Sequence, residues 1–152
     1  MTKTTIEKDV VLKRVNGIQA DVRELEALAD EPFETFSHGV GFKLAQFHLH
    51  RALEGVFHIA GHILSRIPGA QATEYAEIAR KLGEFKIIDT EFANTRLVEM
   101  AKYRNRLVHF YAQITDEELY GILKNDLKDF GIFLEAVKNL LDHPDRFDLS
   151  VE

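Results

Sequence analysis

The stretch from Val40 to Ser65 carries no proline and holds Leu44, Phe47, Leu53, Val56, Phe57, Ile59, Ala60, Ile63 and Leu64. At helical spacing these residues cover much of the circumference rather than one stripe. Such a helix has to be surrounded by other elements, so it belongs at the centre of a bundle. Gly55 and Gly61 cost helix stability but let a neighbour approach closely.

The remaining segments supply its neighbours. Val11, Val15, Ile18, Val22 and Leu25 recur at helical spacing and predict a first helix over 6–29. Pro32, Pro68 and Pro144 each fall where a helical pattern stops. A short helix fits 73–83, with Thr73 as N-cap and Gly83 as stop. Another fits 90–111 behind Asp89. Thr115-Asp116-Glu117-Glu118 has the form of a capping box, and Leu119, Ile122, Leu123, Leu127, Phe130, Leu134, Val137 and Leu141 form a long stripe behind it. No segment sustains period-two alternation. The expected architecture is an all-α, antiparallel up-and-down bundle of about five helices. It is expected as one domain over 1–152, with a core over about 6–141 and a loosely held tail over 142–152.

Composition narrows the chemistry. The chain has 152 residues and no cysteine, which removes disulfides, thiolate metal sites and cysteine nucleophiles. Its net charge of -6 argues against holding long duplex DNA by phosphate neutralisation. A local cluster of positive charge for RNA remains compatible with it. No apolar run approaches membrane-spanning length and the first nine residues are polar, so a cytoplasmic location is expected.

The segment Tyr103-Arg104-Asn105-Arg106-Leu107-Val108-His109-Phe110-Tyr111 departs from this ordinary pattern. On a wheel of about 100° per residue, Ala93, Leu97, Met100, Ala101, Leu107 and Val108 share an apolar arc with Arg104 at its middle. Tyr111 lies in line with Arg104, and Asn105 and His109 share a flank. A guanidinium among hydrocarbon needs an anion or a wet interface. One reading pairs two copies of the helix along the arc, so that two Arg104 and two His109 line an anion-receptive cleft. In that cleft His109 would serve as base towards an RNA 2′-hydroxyl and Arg104 as phosphate clamp, while Asn105 would orient the imidazole. A second reading ties Arg104 to an acid on a neighbouring helix of its own bundle, leaves His109 as a surface residue, and removes the case for RNA chemistry.

The same segment resembles the HEPN superfamily and, within it, the HepT-like toxins. The motif of that family is Arg, a polar residue, three further residues, His, any residue, Tyr. Here it is Arg104, Asn105, Arg106-Leu107-Val108, His109, Phe110, Tyr111. The stretches His62-Ile63-Leu64, Tyr75-Ala76-Glu77, Leu97-Val98-Glu99-Met100-Ala101 and Tyr111-Ala112-Gln113-Ile114-Thr115 extend the likeness over about 10–141. The resemblance implies a helical homodimer with a composite, metal-independent endoribonuclease site and no cofactor. Arg104 and His109 would be catalytic and Asn105 supporting. It further implies the toxin half of a type VII-like toxin–antitoxin pair, whose MntA-type nucleotidyltransferase partner transfers AMP to Tyr111. It also allows a different role, a non-catalytic nucleotide- or partner-binding subunit of a nucleotidyltransferase complex.

Other polar residues carry less. His58 and His62 stand four apart, but no glutamate follows His58, so packing or surface roles are expected, as for His48 and His50. Arg51 and Glu54 have the spacing of an intrahelical ion pair.

Overall fold

The computed structural model describes residues 4–152. The chain begins with a short strand, β1 (Thr4–Ile6), followed by α1 (Lys8–Ala29), α2 (Phe33–His38), α3 (Gly41–Ser65) and α4 (Tyr75–Glu84). Then come a three-residue helical turn, α5 (Thr90–Phe92), a single turn of π-helix (Ala93–Leu97) and α6 (Val98–His109). A 3₁₀ turn (Tyr111–Gln113) leads into α7 (Asp116–Asn125) and α8 (Lys128–Asp142). A second 3₁₀ turn (Pro144–Phe147) precedes β2 (Leu149–Val151).

The all-α expectation holds, with more helices than the five foreseen. Pro32 is followed by an extra short helix, α2, whose Phe36 is fully buried. The long last helix is two: it breaks at Asp126 and Leu127 between α7 and α8. The predicted third helix starts later, at Tyr75, with no side-chain cap, so Thr73 caps nothing.

α3 occupies the centre. Ala45, Leu49, Ala52, Leu53, Val56, Phe57, Ile59, Ala60, Ile63 and Leu64 are all nearly inaccessible to solvent. α1 packs along it, and Gly55 makes the approach close. A Cβ at that position would stand 2.7 Å from Ile18 Cγ1. α6 lies against α3 and α4, so α3 is the floor under the Arg104 segment.

The ends of the chain differ from expectation. Ile6 belongs to β1, not to the first helix, and the tail is held. β1 and β2 pair in parallel, with Thr4 opposite Leu149 and Ile6 opposite Val151. Ile6 and Leu149 are both buried. Strands of three residues are too short to show period-two alternation, which is why the sequence pattern did not reveal them.

Gly83 lies inside α4 rather than ending it. A Cβ there would stand 2.7 Å from the Ala93 Cβ and 3.3 Å from the Thr90 Cα, both rigid. Gly83→Ala should therefore destabilise the fold. Overpacking costs roughly 1–3 kcal/mol, against about 0.5–1 kcal/mol gained in helix propensity. The urea midpoint should fall, and an unchanged or raised midpoint would contradict this packing.

Candidate active site on the sixth helix

Local sequence explains why the segment sits where it does. The Asp89 side chain accepts from the Phe92 backbone N–H at 3.0 Å, starting the helical run as expected. The π turn over Ala93–Leu97 inserts a wider loop of backbone, which re-aims every later side chain relative to the earlier ones. Ala93, Leu97, Met100, Ala101 and Leu107 are buried within their own bundle. The apolar arc is thus spent on the intramolecular core. It is not a free face on which two copies could meet, which corrects the dimer geometry expected from the wheel.

Arg104 is where the charge enters that core. Its Nε donates to Glu54 Oε1 on α3, and Nη1 donates to Asn105 Oδ1 at 3.1 Å. The Arg104 and Glu54 side chains are only 23% and 20% exposed. The guanidinium also lies 4.5 Å from the centre of the Tyr75 ring. Tyr75 in turn donates its hydroxyl to Glu54 Oε2 at 3.0 Å and stacks on the buried Phe57, with ring centres 4.8 Å apart. His50 and His58 approach the same carboxylate from one turn either side, each at 3.5 Å. Arg104 Nη2 has no hydrogen-bond partner among the described residues.

Two expectations are corrected here. Glu54 does not pair with Arg51, which reaches 3.5 Å from Asp21 instead. Asn105 supports Arg104, not the His109 imidazole. His109 is exposed, with no hydrogen bond among the described residues, and its ring meets Phe110 at 6.4 Å. Tyr111 also leaves its expected position. α6 ends at His109, and Phe110 turns the backbone at φ -134° and ψ 31°. Tyr111 therefore sits 63% exposed on the 3₁₀ turn, not on the helix in line with Arg104. Arg104 and His109 stand five positions apart on α6, about 7.5 Å of axial rise.

Glu54 and Tyr75 are the residues that sequence reasoning did not connect to the site. A signal was present: Glu54 is the only acidic residue of α3, and histidines flank it at one turn on each side. His62 is unrelated to this cluster, and its Nε2 accepts from the Glu7 N–H at 3.2 Å. Among the described residues no group of three or more His, Asp or Glu side chains has the arrangement of a metal site.

The other flank of α6 holds a separate polar system. Arg106 donates two hydrogen bonds to Glu118 of α7, which draws that carboxylate away from the reciprocal half of the capping box. Thr115 still caps, accepting from the Glu118 N–H at 3.1 Å. Arg96 holds the buried Asp129 through Nε and Nη2 at 2.9 and 2.7 Å. Between these pairs lies a cavity of about 290 Å³, beside Tyr103. Burial pushes the Tyr103 phenol well up from its ordinary value.

Burial alone would raise the Glu54 carboxyl, but the hydrogen bonds from Arg104 and Tyr75 outweigh it and hold it below the ordinary value of 4.5. A carboxylate lowered in the folded state stabilises the fold above its unfolded value. That contribution is lost as pH falls through the folded value. Stability of the native chain should therefore decline as pH drops below 4.5. Glu54→Gln should make that decline shallower, as followed by chemical denaturation across the acid range. Equal slopes would show that the pair contributes nothing.

Comparison with known proteins places the chain in a family. The family described as HepT-like, ribonuclease HepT-like, matches residues 18–137. No curated protein matches the chain by sequence. Among solved structures, the chain is similar to a tri-AMPylated HEPN toxin of Shewanella oneidensis in complex with an MNT antitoxin. The TM-score is 0.77 at 18% identity, covering 86% of this chain and 98% of that one. It is similar also to a toxin–antitoxin structure with AMP-PNP, with a TM-score of 0.76 at 17% identity and the same coverage. At these identities the likeness is one of fold.

Proposed function

The chain belongs to the HepT-like ribonuclease family, and on that premise we propose that it is the toxin of a toxin–antitoxin pair, an endoribonuclease that needs no metal and works as a homodimer. The carrying observation is the complete segment from Arg104 to Tyr111 in a chain of this family, with His109 and Tyr111 exposed at and just beyond the end of α6. The helical wheel no longer argues for RNA chemistry, because Arg104 is tied to Glu54 of its own bundle and His109 is a surface residue, as the second sequence reading had it. Residues 1–152 are taken as one such domain.

The reaction uses groups that α6 supplies. His109 removes the proton from the RNA 2′-hydroxyl, and the 2′-oxygen attacks the adjacent phosphorus. The bond from phosphorus to the 5′-oxygen breaks, leaving a 2′,3′-cyclic phosphate. The partner subunit's His109 gives the leaving oxygen its proton. Arg104 stabilises the charge on the non-bridging oxygens through its free Nη2 edge, since its other two nitrogens are engaged by Glu54 and Asn105. The buried arc cannot carry the dimer contact. The exposed Phe110 and Tyr111, at 53% and 63%, offer apolar surface beside His109 for a second copy.

The two structural relatives are a HEPN toxin with an MNT antitoxin, tri-AMPylated, and a toxin–antitoxin structure with AMP-PNP. By analogy, a nucleotidyltransferase of MntA type is the antitoxin here, and Tyr111 is the acceptor. The exposed hydroxyl attacks the α-phosphorus of ATP, pyrophosphate leaves, and an AMP ester with added negative charge stands beside His109. Phosphate charge at that place opposes entry of the RNA backbone.

A second reading has one observation in its favour. Glu54 cancels the charge of Arg104 inside its own chain, which weakens the single-copy site as an anion trap. On that reading the chain is a nucleotide- or partner-binding subunit that cleaves nothing.

Arg104→Ala and His109→Ala should each lower cleavage of an RNA oligonucleotide by about a hundredfold or more, with the fold intact by circular dichroism. EDTA should leave cleavage unchanged. Equal cleavage by wild type and both variants would refute the nuclease reading, and mononucleotide binding without cleavage or toxicity would favour the second. Mass spectrometry after incubation with the cognate nucleotidyltransferase and ATP should place AMP on Tyr111. Modification at another residue would remove the regulatory claim alone.

A further inference from the structure

Arg104 is held from three sides before any substrate arrives. Glu54 takes Nε, Asn105 takes Nη1, and the Tyr75 ring lies 4.5 Å from the guanidinium carbon. Tyr75 is itself fixed twice, by its hydroxyl on Glu54 Oε2 and by stacking on the buried Phe57. These supports come from three helices: Glu54 and Phe57 from α3, Tyr75 from α4, Asn105 from α6. A flexible side chain loses considerable entropy when it is fixed, and this arrangement meets that cost during folding. It also leaves one nitrogen, Nη2, without a partner among the described residues.

We infer that Glu54 and Tyr75 are positioning residues for the proposed phosphate site: together they fix the plane of the Arg104 guanidinium and aim its Nη2 edge at the substrate. The inference rests on the nuclease reading above and deepens it. Neither residue touches RNA or takes part in proton transfer. Glu54 positions Arg104 at an electrostatic cost, since its charge offsets that of Arg104. The benefit is directional, because a planar fork acts on phosphate oxygens only when its edge is aimed at them. Aim matters most where charge develops in the transition state, so the loss on removing it falls on kcat. His50 and His58 flank the carboxylate on the same helix, each at 3.5 Å.

The test is steady-state cleavage of a fluorescent RNA oligonucleotide by the full chain. Glu54→Ala should lower kcat by about thirtyfold with KM within about twofold, the size expected for a misaligned catalytic group. Glu54→Gln keeps an amide oxygen for Arg104 Nε and should retain activity within about threefold. In an Arg104→Ala background, Glu54→Ala should cause no further loss, because the residue acts only through Arg104. Should Glu54→Ala fail to fold, Tyr75→Leu, which removes the supporting ring and hydroxyl, carries the same test with the same expected fall in kcat.

Three results would overturn the inference: an unchanged kcat in Glu54→Ala, equal losses in the glutamine and alanine variants, or an undiminished effect of Glu54→Ala without Arg104. If Arg104→Ala itself cleaves normally, the nuclease reading falls together with the inference. If Arg104→Ala is inactive while Glu54→Ala is not, only the inference falls.

Discussion

The contact between Glu54 and Arg104 settles how a guanidinium can lie in the apolar groove between α3, α4 and α6. An unpaired charge at that depth would be costly, and breaking such a pair by removing one partner commonly costs several kcal/mol. Glu54 removes the penalty from within the chain, so no second copy is needed for Arg104 to be tolerated. The carboxylate is itself well satisfied, receiving the Tyr75 hydroxyl as well as Arg104. The pair also ties the motif helix to the central helix, which transmits the rigidity of the core to the site.

The end of α6 decides the rest. The helix stops at His109 because Phe110 leaves helical geometry, and the 3₁₀ turn that follows carries Tyr111 out to solvent. Arg104 is therefore half-buried and fixed, whereas His109 and Tyr111 are exposed. That division suits the proposed roles. A clamp gains from being rigid, a proton carrier must reach its substrate, and a modification site must admit an enzyme.

Much of this was legible in sequence where periodicity is strong. The bounds of α3 differ from the reading by one residue, and Asp89 and Thr115 cap as their positions imply. The motif itself was legible because it is contiguous, and the family match supports the resemblance drawn from it. Short elements were not legible. α2 and the two terminal strands lack the length to show a period. Tyr111 falls off the helical wheel because the helix does not run unbroken through Phe110. Of the two readings of the apolar arc, the intramolecular one holds, since the same arc is what any core helix shows.

Sequence alone determined that this chain is helical, that Val40 to Ser65 lies at its centre, and that Arg104 and His109 occupy one helix. Those facts follow from local spacing, which hydrogen bonds four residues apart impose wherever a helix forms. Tertiary structure decided who meets Arg104. Glu54 lies fifty residues away along the chain, and Tyr75 twenty-nine, as the residue numbers give. No local rule pairs side chains at such separations. Only the packing of α3 and α4 against α6, driven by burial of their apolar faces, brings an acid and an aromatic face to the same guanidinium.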